Sequence, residues 1–419
     1  MDFNTSFILP NGLDLGGVTT WSAGLAERLA GVGRQTTLVR HVDRYTSGDC
    51  IIPSGVDLIE CAHHIHPNHW YLLKRDIDEY VKSYRQTLPS IIVPNYSFGS
   101  YAACACLAVE SAEKIRIIGM AHTDNAEYYR WLVRFESIIH IFIAVSSEIA
   151  VKLIALLPHR RQDIVCRPCG VSVYDNLSRQ YSSPPKPLKL IYAGRLSERQ
   201  KHVSDLVRLA VMLDVNGVDF ELEIYGSGRD QQYLEDLIES LEKDVRNRVR
   251  LAGQVGPRTM AALYRSADVF VLVSEYEGTS LSMLESMAQG CVPVVTQVSG
   301  TAEVVIDGKN GFTVPVGDIC SMAEKILWLD QHRNRMSQLG SAAYATVHDR
   351  YSYENYVPWF SDILDGVRQQ SPRKWQGGQS FPFHFPVRQF IKEAGYTLAA
   401  KPGLRWLYKV REPARKMIQ

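Results

Sequence analysis

What most constrains this chain is an alternation that runs along it twice. Short apolar runs rich in β-branched residues are each followed by an amphipathic segment. In the first stretch "SFILP", "QTTLVRHV", "DLIECAHH", "SIIVPN", "KIRIIGMAH", "IHIFIAVS" and "DIVCRP" read as strands, and "VTTWSAGLAERLAGVG", "LLKRDIDEYVKSYRQTL" and "SYAACACLAVESA" as helices. Most of these runs lack polar alternation, as expected of strands buried on both faces. Such a pattern implies a parallel sheet wrapped by helices. "SSPPKPLK", residues 182–189, interrupts it with prolines that exclude helix and favour an extended hinge. The alternation then restarts with "LKLIYAG", "FELEIYGSG", "VRLAGQV", "DVFVLV" and "VPVVT". The expected organisation is α/β: two doubly wound domains, 1–182 and 183–350, facing a cleft. A helix over 351–370 crosses the boundary between them, and a basic, aromatic tail occupies 371–419.

Length and charge agree with this. A chain of 419 residues has ample material for two cores. A net charge of +1 gives no global attraction to nucleic acid, so no nucleic-acid partner is expected. The N-terminus lacks a basic–apolar–small signal pattern. No run of about 20 apolar residues occurs, because "SIIHIFIAVSSEIAVKLIALL" is broken by His140, Ser146, Ser147, Glu148 and Lys152. The eight cysteines are scattered, the usage of reduced thiols in a cytoplasmic protein. "CRPC" at 166–169 is a lone C-x-x-C without a second pair, so it reads as a strand end rather than a metal site.

The stretch "EYEGTSLSMLESMAQGCVPVVTQ", 275–297, carries the most chemistry. It predicts a strand–loop–helix–strand unit. Leu281, Leu284, Met287 and Ala288 form the helix's apolar stripe, Thr279 or Ser280 its N-cap, and Gly290 its C-terminal stop. In open parallel sheets ligands gather at the carboxyl ends of the strands, where this loop lies. Its amides suit a phosphate. Glu277 and Glu285 stand at the two ends. Glu285 borders the apolar stripe, so it either finds donors in neighbouring protein or takes them from the hydroxyls of a ligand.

Other loops at strand ends fit the same chemistry less specifically. Gly16 and Gly17 in "DLGGVTTW" allow amides to approach an anion. Arg195 and Lys201 in "YAGRLSERQK" are either two cations for a diphosphate or surface charges. Gly226 in "IYGSGRD" marks a turn at another strand end. His122 in "IGMAHTDNAEYY" is either a packed histidine or a group that bonds a sugar hydroxyl and supports charge near a reacting carbon.

Taken in order, "DLGGVTTW", "AHTDNAEYY", "CGV", "YAGRLSERQK", "YGSG", "VRLAGQV", "EYEGTSLSMLESMAQGCVPVV" and "SGTAEVVIDGKNGFTVPVGD" resemble retaining glycosyltransferases of the family-4 type, over residues from about 6 to about 365. The resemblance implies the GT-B architecture, two Rossmann-like domains about a cleft. It implies a sugar donor linked to UDP or GDP and no other cofactor. No Asp-x-Asp pair stands in a fitting context, so no metal is expected. Arg195 and Lys201 match the pair that grips the donor diphosphate. Glu277 matches the glutamate facing the donor sugar, Glu285 the one that receives the ribose hydroxyls, and His122 the histidine near the sugar's outer hydroxyl. Gly278, Thr279, Ser280 and Leu281 match the amides between the glutamates, Gly16 and Gly17 the opposing phosphate loop, Gly226 a donor-site turn, and Gly253 and Val255 the base-binding turn. The sequence departs from the commonest pattern in three places. The lysine falls one residue late, His202 replaces a frequent glycine, and Thr279–Ser280 replace an aromatic–glycine pair. A sugar-nucleotide epimerase, a phosphorylase or a non-catalytic sugar-nucleotide binder shares much of this pattern.

The tail lies outside the resemblance. Residues 371–419 hold ten basic and two acidic side chains interleaved with aromatics. Such a segment either lies on an anionic membrane surface or packs on the body. The first reading implies a peripheral position at the inner membrane face and a glycan or lipid-linked acceptor.

Overall fold

The computed structural model describes residues 2–10, 16–41, 53–61, 74–174 and 179–375. Its strands are β1 (Asn4–Leu9), β2 (Thr36–His41), β3 (Asp57–Cys61), β4 (Ser90–Val93), β5 (Ile115–Ala121), β6 (Ile141–Ala144), β7 (Ile164–Cys166), β8 (Leu188–Ala193), β9 (Phe220–Tyr225), β10 (Val249–Gly253), β11 (Val269–Leu272), β12 (Val292–Thr296) and β13 (Phe312–Val314). They form two sheets in the orders β3-β2-β1-β4-β5-β6-β7 and β10-β9-β8-β11-β12-β13. Every strand pairing is parallel. The strand order reverses between β1 and β4 in one sheet and between β8 and β11 in the other. These are the switch points where doubly wound sheets open crevices for ligands.

Local sequence explains the elements. β1, β4, β5 and β11 are buried at every position, so their runs carry no polar alternation. In the helix Gly17–Gly31, Trp21, Leu25 and Leu29 recur every fourth residue and are almost wholly buried. The helix Leu281–Met287 starts at Ser280, whose hydroxyl accepts from the Met283 amide at 3.4 Å. Gly290, at φ 70°, ends the turn after it.

Two separate cores result, one under each sheet. The change-over falls near residue 170: Cys169 packs in the first core and Val171 in the second. Asp268, fully buried, pins the linker by accepting from the amides of Ser182 and Lys189 at 2.8 and 2.9 Å. The chain then returns to the first core through the helix Tyr353–Gln369, which buries Tyr356, Phe360, Leu364 and Val367 there. Each such side chain contributes about 1.5–3 kcal/mol of burial. Arg28 stacks 4.1 Å over the Tyr353 ring and fastens this helix to Gly17–Gly31.

The root of the tail also packs on the body. Gln370 O accepts from Arg116 Nε at 2.9 Å, Arg373 reaches Asp163 at 3.4 Å, and the Trp375 ring lies 5.3 Å from Phe135. These contacts lie at the amino ends of β5 and β6, the edge opposite the cleft. Residues 376–419, which carry most of the membrane expectation, lie outside the described residues, as do residues 11–15 of the glycine loop. Among the described residues no helix is long and apolar enough to cross a membrane.

Candidate active site

The two switch points face each other across a cleft of about 730 Å³. From the first domain Gly16, Gly17, Tyr96, His122 and Tyr128 line it. From the second come Arg195, Arg199, Lys201, Gly226, Val255, Tyr264, Glu277, Thr279, Ser280, Leu281 and Glu285. Most residues singled out in the sequence therefore converge, although they lie up to 269 positions apart between Gly16 and Glu285.

The charges are arranged unequally. Arg195 is exposed, and its guanidinium makes no hydrogen bond or ion pair with a described residue. Lys201 behaves differently: its Nζ donates to Glu277 Oε1 at 2.5 Å, and Ser274 Oγ donates to the same oxygen at 2.6 Å. Glu277 is buried and Lys201 partly so, with side-chain exposures of 7% and 13%. Two donors thus meet on one oxygen of Glu277, while Oε2 has no hydrogen bond among the described residues.

Glu285 has no donor among the described residues. It is half-buried in the cleft wall, and desolvation pushes its pKa from 4.5 to about 7. Tyr264, 1% exposed, stands beside it with a hydroxyl that also lacks a partner. His122 sits at the end of β5 with its Nε2 2.9 Å from Asn95 Oδ1 and its ring edge-on to Trp21 at 5.3 Å. Burial pulls its pKa down to about 3, so the ring is neutral near pH 7. A neutral ring can bond a hydroxyl or turn a lone pair toward positive charge, which are the two roles the sequence left open.

Two expected residues stand apart from the cleft lining. Gly278 lies in the contact between domains: it bridges to Thr123, and a Cβ there would meet His122 O at 2.0 Å. Only glycine permits that approach. Gly253, at φ 73°, turns the chain beside the cleft and is followed by the lining residues Gln254 and Val255. Thr279 lines the cleft, but its hydroxyl is engaged, donating to Val145 O at 2.5 Å across the domains. Asp124 N to Glu277 O at 3.1 Å, Ser146 to Ser299 at 2.7 Å, and Ser147 N to Glu303 at 2.7 Å continue this contact. Sequence reading missed Arg199, Tyr264 and Asn95. The first lies two residues from a predicted cation. The other two lie on elements whose relation to the cleft appears only after folding.

Two parallel-sheet domains opposed across their switch points, with a returning C-terminal helix, constitute the GT-B architecture. Residues 173–346, most of the second domain, match the family of glycosyl transferases group 1. The chain is similar to an uncharacterized glycosyltransferase of Methanocaldococcus jannaschii, 33% identical over 40% of this chain and 42% of that one. It is also similar to the putative colanic acid biosynthesis glycosyltransferase WcaL of Salmonella typhimurium, 32% identical over 38% of this chain and 39% of that one. The matched stretch therefore spans about two-fifths of these relatives. Among solved structures, S. aureus TarM, in complex with fondaparinux, alpha-GlcNAc-glycerol and UDP, superposes with a TM-score of 0.70. That match covers 88% of this chain and 100% of the other at 12% identity, a likeness of fold.

Proposed function

We propose that this chain is a retaining glycosyltransferase that moves a sugar from a UDP- or GDP-linked donor to a glycan or lipid-linked acceptor in polysaccharide or glycoconjugate biosynthesis. The observation that carries the reading is one cleft holding both a guanidinium, Arg195, and a carboxylate, Glu285, that find no partner among the described residues. A nucleoside diphosphate complements both: its diphosphate meets the cation, and its ribose hydroxyls supply the donors that Glu285 lacks.

In this reading Arg195 and Lys201 neutralise the charge that grows on the departing diphosphate, so protein cations do the work a metal does elsewhere. Gly16 and Gly17 offer amides from the opposite wall. Glu277 Oε2 faces the donor sugar, and the acceptor attacks from the side the diphosphate leaves, which retains configuration. The relative named for colanic acid biosynthesis and the UDP held by TarM support the donor and product classes. The reaction belongs to the cytoplasm, at the inner membrane face if the acceptor is lipid-linked.

The test is incubation with UDP-glucose, UDP-N-acetylglucosamine, UDP-galactose and GDP-mannose, with and without membrane extract. Release of nucleoside diphosphate and an α-linked product from an α-linked donor is expected. A rearranged free sugar nucleotide would identify an epimerase, and binding without turnover a sensor.

A further inference from the structure

Asn95 follows β4 at the first switch point, and its backbone is left-handed, φ 58°. Asparagine is among the few residues other than glycine that adopt this conformation readily. The side chain is 1% exposed and makes three contacts. Nδ2 lies 2.6 Å from Ile8 O at the end of β1 and 3.3 Å from Ser22 Oγ in the helix after the glycine loop. Oδ1 lies 2.9 Å from His122 Nε2 at the end of β5. One carboxamide thus ties together the three loops that build the first domain's wall of the cleft.

The orientation of that amide follows from Ile8. A peptide oxygen only accepts, so the NH2 group must face it at 2.6 Å, and the amide oxygen must face the histidine. An oxygen there accepts a hydrogen bond, which requires the imidazole proton on Nε2. Nδ1 then carries a lone pair. It has no hydrogen bond among the described residues, and His122 lines the cleft.

We propose that Asn95 is a positioning residue: its carboxamide oxygen holds His122 with the proton on Nε2, which leaves Nδ1 as an acceptor for a sugar hydroxyl in the cleft. This rests on the reading of the cleft as a sugar-nucleotide site. It gives His122 one defined role, an acceptor that favours a donor sugar bearing a hydroxyl donor at that point. A left-handed Asn explains the choice of residue, since glycine fits the backbone but has no amide.

The test uses the full chain with 15N-labelled histidine. In the free wild-type protein near pH 7, His122 should show a protonated Nε2 and an unprotonated Nδ1. Asn95→Gly keeps the left-handed backbone and removes the amide. It should shift His122 toward a mixture of tautomers, and raise the KM of whichever sugar nucleotide of the panel turns over by about 3- to 10-fold, the worth of one hydrogen bond. Affinity for the matching nucleoside diphosphate should not change. A proton on Nδ1 in the wild-type protein overturns the proposal without any variant. So does a folded Asn95→Gly protein with unchanged tautomer and unchanged KM. A chain that binds no sugar nucleotide overturns the functional reading and the ligand half of this proposal. The tautomer of the free protein tests Asn95 by itself.

Discussion

Replacing Glu285 by Gln should change stability and ligand binding in opposite directions. In the unfolded chain this carboxyl titrates near 4.5, and in the fold burial raises it to about 7. Below pH 4.5 both states are protonated and the group costs nothing. As pH rises from there the unfolded chain ionises first, so stability falls through the window and the full cost stands above pH 7. That cost is roughly 3 kcal/mol at most. Gln cannot ionise and escapes it. Thermal unfolding at pH 5 and pH 8.5 should therefore give similar Tm values at the lower pH. At the higher pH the variant should melt several degrees higher, at about 2–4 °C per kcal/mol for a domain of this size. Adding the nucleoside diphosphate should reverse the ranking. Ribose hydroxyls favour the ionised carboxylate, so the wild type gains more on binding and releases a proton near pH 6.5. Calorimetry in two buffers of different ionisation enthalpy reads that proton. If wild type and Glu285→Gln show parallel Tm–pH curves, the carboxylate is not desolvated. If binding releases no proton, the ribose is not its partner.

The other expectations separate charge, packing and surface. Arg195→Ala should lower kcat by about 100- to 1,000-fold with Tm unchanged, because its guanidinium makes no bond with a described residue; wild-type turnover would remove it from the site. Lys201→Ala should lose turnover and also stability, since it leaves Glu277 buried beside only Ser274, a loss of about 3–5 kcal/mol; a Tm equal to wild type would mean the pair is not formed. Truncation after residue 370 should lower Tm by removing Trp375 from Phe135 and Arg373 from Asp163, whereas truncation after 375 should not. The longer truncate also isolates the tail: salt-sensitive sedimentation of the full chain with anionic vesicles, lost in the 1–375 protein, supports the membrane reading, and equal partition of both ends it.

The fold was largely legible because its signals are local. Short apolar runs rich in β-branched residues, such as "SIIV" and "DVFVLV", favour strands buried on both faces. The amphipathic stretch "VTTWSAGLAERLAGVG" reads as a helix, and the prolines at 184, 185 and 187 break the pattern between the sheets. Loop residues at strand ends were legible for the same reason: once the strands are known, their carboxyl ends are known. That Arg195, Lys201, Glu277 and Glu285 lie at strand ends was legible this way, whereas the roles proposed for them came from the family resemblance.

What the sequence could not decide were relations between groups distant along the chain. That Lys201 spends its charge on Glu277 while Arg195 finds no partner among the described residues depends on distances set when β8 and β11 lie side by side. That Gly278 serves the contact between domains depends on His122 O arriving from the other domain. Asn95 carries no motif of its own, and its place between Ile8, Ser22 and His122 exists only where β1, β4 and β5 end together. Periodicity records which side of an element is buried. Which buried group meets which, and therefore which charges and hydroxyls are left for a ligand, is decided by packing, because hydrogen bonds and desolvation act over a few ångströms of space and not along the chain.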